Sequence, residues 1–182
     1  MRTPQLRGIT FQPATWAGRF APSFDPMSRI TLADVVDLIV RQSGGIFKAD
    51  DFKPLPCGNP NCCSFTYAVR RPNGTVMPLP RVMKIEDHLD QLSDRMNFNL
   101  GDAQQYGHIG VRPEDFFRIV IKPFMDAYTY DQDRVDECCV HVIRPGGKAI
   151  SFCRFNVLER GWTNGKTALL GERTHEIDSI PV

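Results

Sequence analysis

The chain has 182 residues, 42% hydrophobic and 24% charged, ordinary proportions for a globular protein long enough to bury a core of its own. Its 22 Lys and Arg oppose 21 Asp and Glu, a net charge of +1, which excludes a bulk electrostatic pull toward nucleic acid or an anionic membrane. Apolar runs such as "VVDLIV" and "IVI" are too short for a transmembrane segment.

The opening "MRTPQLRGITFQPATW" has neither the apolar core nor the small-residue cleavage site of a signal peptide, so a cytoplasmic location is expected. "GITFQP" predicts a short buried strand, followed by a Pro- and Gly-rich connection. Thr31 as N-cap, with Asp34 at the third helical position, predicts the helix "LADVVDLIVRQ". Leu32, Val35, Val36, Ile39 and Val40 mark its core face, and Gly44 and Gly45 its end. "CSFTYAV" and "TVMPLP" predict a β-hairpin turning at Pro72-Asn73-Gly74. A helix with a charged outer face is expected over "KIEDHLDQLSDRM" and a loop over 97–112. Pro113 opens another expected helix, "EDFFRIVIKPFMDAY", which Pro123 kinks or ends. "ECCVHVIRPGGKAISFCRF" predicts a second hairpin, and the residues after Gly161 a surface tail.

All six cysteines fall in two places, "FKPLPCGNPNCCSF" and "DECCVHVIRPGGKAISFC". Disulfides are rare in a reducing cytoplasm, and metal ligation is the usual use of clustered thiols there. Four thiolates satisfy a tetrahedral ion or the corners of an iron–sulfur cluster. Cys57 and Cys62 flank a Gly-Asn-Pro-Asn turn able to curl both sulfurs inward, with its peptide N–H groups expected to face them. Cys63 is expected on the opposite strand face. In the second segment, a three-residue Pro145-Gly146-Gly147 loop pairs Arg144 with Lys148, Ile143 with Ala149 and His141 with Ser151, and sets Cys139 against Cys153. A two-residue loop favours Cys138 instead. The expected metal ligands are therefore Cys57, Cys62, Cys139 and Cys153, with Cys138 and Cys63 as alternates and otherwise small core residues. His141 is read as a half-buried strand histidine.

With both segments in view, "DFKPLPCGNPNC" and "CCVHVIRPGGKAISFCRFN" resemble the C-terminal part of radical S-adenosylmethionine proteins of the tetraether lipid synthase and class D methylase type. "RGITFQP" and "DPMSRITLADVVDLI" resemble the last barrel strand and following helix of those proteins, so the likeness runs from about Arg7 to Arg160. The resemblance implies an α+β fold in three parts: a barrel remnant over 1–50, an auxiliary iron-binding domain of two hairpins packed with helices over 51–160, and a tail over 161–182. It also implies that the cysteines hold auxiliary iron, as a cluster or a mononuclear tetrathiolate, beside chemistry that cleaves S-adenosylmethionine reductively to abstract hydrogen from an unactivated carbon. Methylation, or in the lipid branch carbon–carbon bond formation between alkyl chains, is the implied outcome, on a hydrophobic or lipid substrate.

The radical-generating spacing C-x3-C-x2-C does not occur in the chain. A radical S-adenosylmethionine catalytic domain, on the same longer chain or separate, is thus an expected partner, and S-adenosylmethionine is expected only in the complete enzyme. Trp16, Arg19 and Phe20 follow the strand, where the analogy places substrate or cofactor contacts. The competing reading is a non-catalytic module in which zinc or iron pins two hairpins together.

Overall fold

A computed structural model describes residues 5–17, 25–55, 58–71, 73–84, 87 and 112–160. The expected helix over "KIEDHLDQLSDRM", most of the 97–112 loop, the tail, and Pro72, Arg19 and Phe20 lie outside the described residues. The chain is mixed α and β and divides into two compact units, Met1–Pro13 with Ile30–Pro123, and Ala14–Arg29 with Phe124–Val182.

The first unit is built on a sheet ordered β1-β5-β3-β2, with β4 also paired to β3. The strands are β1 (Gly8–Phe11), β2 (Lys53–Pro54), β3 (Ser64–Arg70), β4 (Val76–Pro78) and β5 (Phe116–Ile121). β1 runs parallel to β5, with Gly8 opposite Arg118 and Phe11 opposite Ile121. Backbone bonds from Arg118 N–H to the Arg7 carbonyl (3.0 Å) and from Lys122 N–H to the Phe11 carbonyl (2.9 Å) close the two ends of that pairing. Glycine is required at position 8, because a Cβ there would stand 2.7 Å from the Arg118 carbonyl oxygen. β3 and β5 are antiparallel from Ser64–Ile121 to Val69–Phe116.

β5 corrects an expectation. Pro113 does open a turn, the 3-10 segment Pro113–Asp115, but "FFRIVI" continues as a strand and not as a helix. The strand is covered on both sides, so its sequence is a nearly unbroken apolar run with no alternation to distinguish it from a buried helix. Phe117, Ile119 and Ile121 enter one core with Ala68, Phe47, Phe52 and Val35, while Val120 enters the other with Leu55, Cys63, Phe65, Tyr67, Val69 and Leu79.

The helix α1 (Leu32–Gln42) forms as expected. Thr31 Oγ1 accepts from Asp34 N–H at 3.2 Å, and Thr31 N–H donates to Asp34 Oδ2 at 2.8 Å. Val35 is buried, and Leu32, Val36 and Ile39 pack beside it on the sheet. The β3–β4 hairpin also forms as expected, pairing Arg70 with Val76. Nearby, Asp51, 3% exposed, takes a two-pronged contact from Arg81, whose Nε lies 2.8 Å from Oδ1, and it accepts from Lys48 N–H at 2.7 Å. These bonds to Asp51 raise the Arg81 pKa further above its usual value.

The second unit holds α2 (Gln132–Asp136), a short helix with Asp131 as N-cap that the sequence reading did not foresee, and the hairpin β6 (His141–Ile143) with β7 (Ala149–Ser151). The helical turn α3 (Phe152–Arg154) follows and runs into a π-helical turn, Phe155–Glu159. Trp16 is buried, and its backbone N–H reaches Asp126 Oδ2 at 3.4 Å. Asp126 also accepts from the backbone N–H groups of Tyr128 and Thr129, and Arg29 contacts it at 3.4 Å while lying over the rings of Trp16 and Tyr128. Among the described residues no helix is long and apolar enough to cross a membrane.

Two outcomes follow for stability. Ile121→Ala removes a side chain with 0% exposure and should cost about 2–5 kcal/mol, whereas Ile143→Ala, at 68% exposure, should stay within about 0.5 kcal/mol. Denaturant unfolding reads both, and equal losses would contradict the placement of β5 at the centre of the core. Hydrogen bonds from Thr31 hold the Asp34 carboxyl below its ordinary value. A depressed carboxyl stabilises above its unfolded pKa and stops doing so as pH falls through the folded one. The stability advantage of wild type over Asp34→Ala should therefore be complete at neutral pH and shrink below about pH 4.

Candidate metal centre

In the first unit the cysteine loop is pinched at its base by Leu55 N–H donating to the Cys63 carbonyl at 3.1 Å. Asn59 organises the turn inside it: its side chain accepts from Asn61 N–H at 3.0 Å and its carbonyl from Cys62 N–H at 2.9 Å. Those two N–H groups shape the turn between the cysteines. Cys62 is half-buried at the end of the 3-10 turn Pro60–Cys62. Cys63 is 2% exposed and packs in the apolar core, the role expected for it when it is not a ligand. Cys57 lies outside the described residues.

In the second unit the hairpin has the expected register, His141–Ser151, Val142–Ile150 and Ile143–Ala149, with Arg144 N–H donating to the Lys148 carbonyl. Gly146 and Gly147 take positive φ, 81° and 77°, as a three-residue loop with left-handed glycine demands. The pairing does not extend to the cysteines. Ser151 Oγ caps Arg154 N–H, which turns the chain into α3 and carries Cys153 off the strand before it can oppose Cys139. Cys138 and Cys139 precede β6 in an irregular segment. His141 stands on β6 exposed, not half-buried.

The three thiols of this unit differ sharply. Cys139 is exposed. Cys138 is half-buried, not a core residue, and its thiol donates to the Val140 carbonyl at 3.1 Å. Cys153 is buried with Met125 and Val135, flanked by Phe124 and Tyr130, and its sulfur accepts from Met125 N–H at 3.4 Å. A peptide N–H directed at sulfur favours the thiolate, the form that binds metal. Burial pushes the Tyr130 phenol up, and among its neighbours Arg154 lowers it while Asp136, Cys153 and Glu159 raise it.

Among the described residues no three His, Cys, Asp or Glu side chains converge as a metal site. The donor chemistry at Cys153, an N–H-supported sulfur in apolar surroundings, nevertheless fits a thiolate ligand. Sequence reasoning missed Met125 and Tyr130, because a backbone N–H and a phenol brought to a sulfur by tertiary packing leave no spacing signal.

No family model matches the chain. It is similar to 7,8-dihydro-6-hydroxymethylpterin dimethyltransferase of Methanocaldococcus jannaschii, with 24% identity covering 85% of this chain and 43% of the relative. The chain therefore spans less than half the length of that relative. The relative is named for methyl transfer, which supports the methylase side of the motif resemblance and lends nothing to the tetraether lipid synthase side.

Exposure predicts an order of reactivity. In metal-free native protein, Cys139 should alkylate at least about tenfold faster than Cys153 or Cys63. Timed iodoacetamide labelling with peptide mass spectrometry measures it, and faster labelling of Cys153 would contradict the described packing.

Proposed function

We propose that this chain is the auxiliary, thiolate-metal portion of a radical S-adenosylmethionine methylase-like protein, working with a separate or covalently attached domain that generates the radical. The observation that carries the reading is the similarity to a methyl-transferring relative across 85% of the chain, including both cysteine segments by extent. The ligands are those of the sequence pattern, Cys57, Cys62 and Cys153 with one of Cys139 or Cys138. The packing around Cys153 supports its membership. Bound iron, as a cluster or a single ion, supplies a one-electron relay. The chain's own contribution is to keep Cys153 dry and its sulfur supplied with a hydrogen bond.

The relative's name points to a planar heterocycle as substrate, and we favour that class over an alkyl lipid. A hydrophobic substrate would find an apolar cavity of about 300 Å³ in the first unit, lined by Phe11, Ile30, Val35, Leu38 and Ile39 and rimmed by Gln12 and Gln42.

Anaerobic purification followed by iron, zinc and acid-labile sulfide analysis tests the proposal. Iron is expected, with about four sulfides for a cluster or none for a single tetrathiolate ion. Cys153→Ala and Cys62→Ala should each lose it, while only one of Cys138→Ala and Cys139→Ala should. Zinc retained after reconstitution with iron would establish the structural module instead, and protein that takes up no metal would defeat both readings.

A further inference from the structure

The cavity beside α1 carries two groups that an alkyl chain would not use. Along α1, Val35, Leu38, Ile39 and Gln42 fall at helical spacing on one stripe, so this apolar wall ends on a carboxamide. On the other wall Phe11 closes β1 and Pro13 follows, with a second carboxamide, that of Gln12, between them. Both glutamines are exposed, and among the described residues no hydrogen bond engages either side chain. Each offers one carbonyl acceptor and two N–H donors.

The cavity also stands where ligands of such sheets gather. β1 and β5 run parallel and finish together at Phe11 and Ile121, and binding crevices of open sheets lie outside such carboxyl ends. A volume of about 300 Å³ is at the bottom of the range for small-molecule sites. It suits a compact ring system better than the long chains of a lipid. Apolar walls with a few polar groups are the usual build of such a site: the walls supply burial, and the polar groups fix orientation.

We propose that this cavity binds a flat bicyclic heterocycle, its faces against the apolar walls and its ring amide edge hydrogen-bonded to Gln12 and Gln42. A ring N–H beside a ring C=O is the complement of a carboxamide, so the two can form a pair of parallel hydrogen bonds. A hydrocarbon ligand would cover the rim and displace water from both carboxamides without replacing its hydrogen bonds. The inference deepens the heterocycle reading proposed above and rests on it, but it does not rest on iron, so metal-free protein serves to test it.

The experiment is equilibrium dialysis of the metal-free full chain against 6-hydroxymethylpterin, with naphthalene as a ring without polar edges and dodecanoate as a chain. The pterin should bind at least about tenfold more tightly than either. Gln12→Ala and Gln42→Ala should each weaken it about three- to tenfold, the loss of one hydrogen bond, and leave naphthalene unchanged. Leu38→Arg, which directs a charged chain into the cavity from a half-buried position, should abolish pterin binding. Should that variant fail to fold, the two exposed glutamine variants carry the test. Pterin binding indifferent to all three substitutions overturns the site and leaves the heterocycle class standing. Equal or tighter binding of naphthalene or dodecanoate overturns the class, and absence of pterin binding overturns both.

Discussion

The first unit depends on one strand with no solvent face. β5 receives β1 on one edge and β3 on the other, and sends alternate side chains into two separate cores. Such a strand cannot slip by one residue, because the shift would exchange the contents of both cores and leave Arg118 where Ile119 now stands. With β5 fixed, the parallel edge β1 has one allowed register, tightened by the contact at Gly8 that leaves no space for a Cβ. The far side is blunted differently. β2 is two residues long and carries Lys53 and Pro54, a charge and a missing donor that discourage further pairing there.

What the sequence made legible is what local chemistry decides. The reciprocal Thr31–Asp34 cap, the β3–β4 pairing and the glycine loop of the second hairpin involve residues within a few positions of one another, and all three form as read. β5 was misread because burial on both faces erases the period that separates strand from helix. The proline at 113 fitted either reading, since it opens a 3-10 turn as readily as a helix. The Cys139–Cys153 opposition failed for a different reason. The register was right, and Phe152 N–H still reaches the Val140 carbonyl at 2.8 Å, but Ser151 caps a helical turn that draws Cys153 out of the strand. Extrapolating a hairpin beyond its last strand pair assumes the strands continue, and Ser at the boundary was the sign that one does not.

The described cysteines show how similar residues acquire unlike surroundings. Cys63 is enclosed by aliphatic and aromatic side chains, where a thiol behaves as a small apolar group. Cys138 directs its thiol proton to the Val140 carbonyl. Cys153 instead receives an N–H, which favours the charged sulfur, and burial alone would oppose that charge. The hydrogen bond and the burial work against one another for an isolated thiolate. They work together for a metal-bound one, because the metal's charge offsets the sulfur's and the dry surroundings strengthen their attraction. That balance is why Cys153 is the described cysteine whose surroundings argue most directly for ligation.

The parallel pair also sets what stands at one end of the first unit's sheet. Antiparallel strands send their ends in opposite directions, whereas β1 and β5 finish side by side, at Phe11 and Ile121. The apolar cavity opens beyond β1 on the face covered by α1, since Val35 and Ile39 belong to both. Lys122 leaves β5 toward the other face, that of Val120 and Cys63. One strand-end thus presents an apolar surface on one side of the sheet and a lysine on the other. A sheet with only antiparallel neighbours would have separated these features by the length of a strand. Keeping them at one end costs the weaker bonding of a parallel pair, and the tight glycine contact at the start of β1 holds that pair in register.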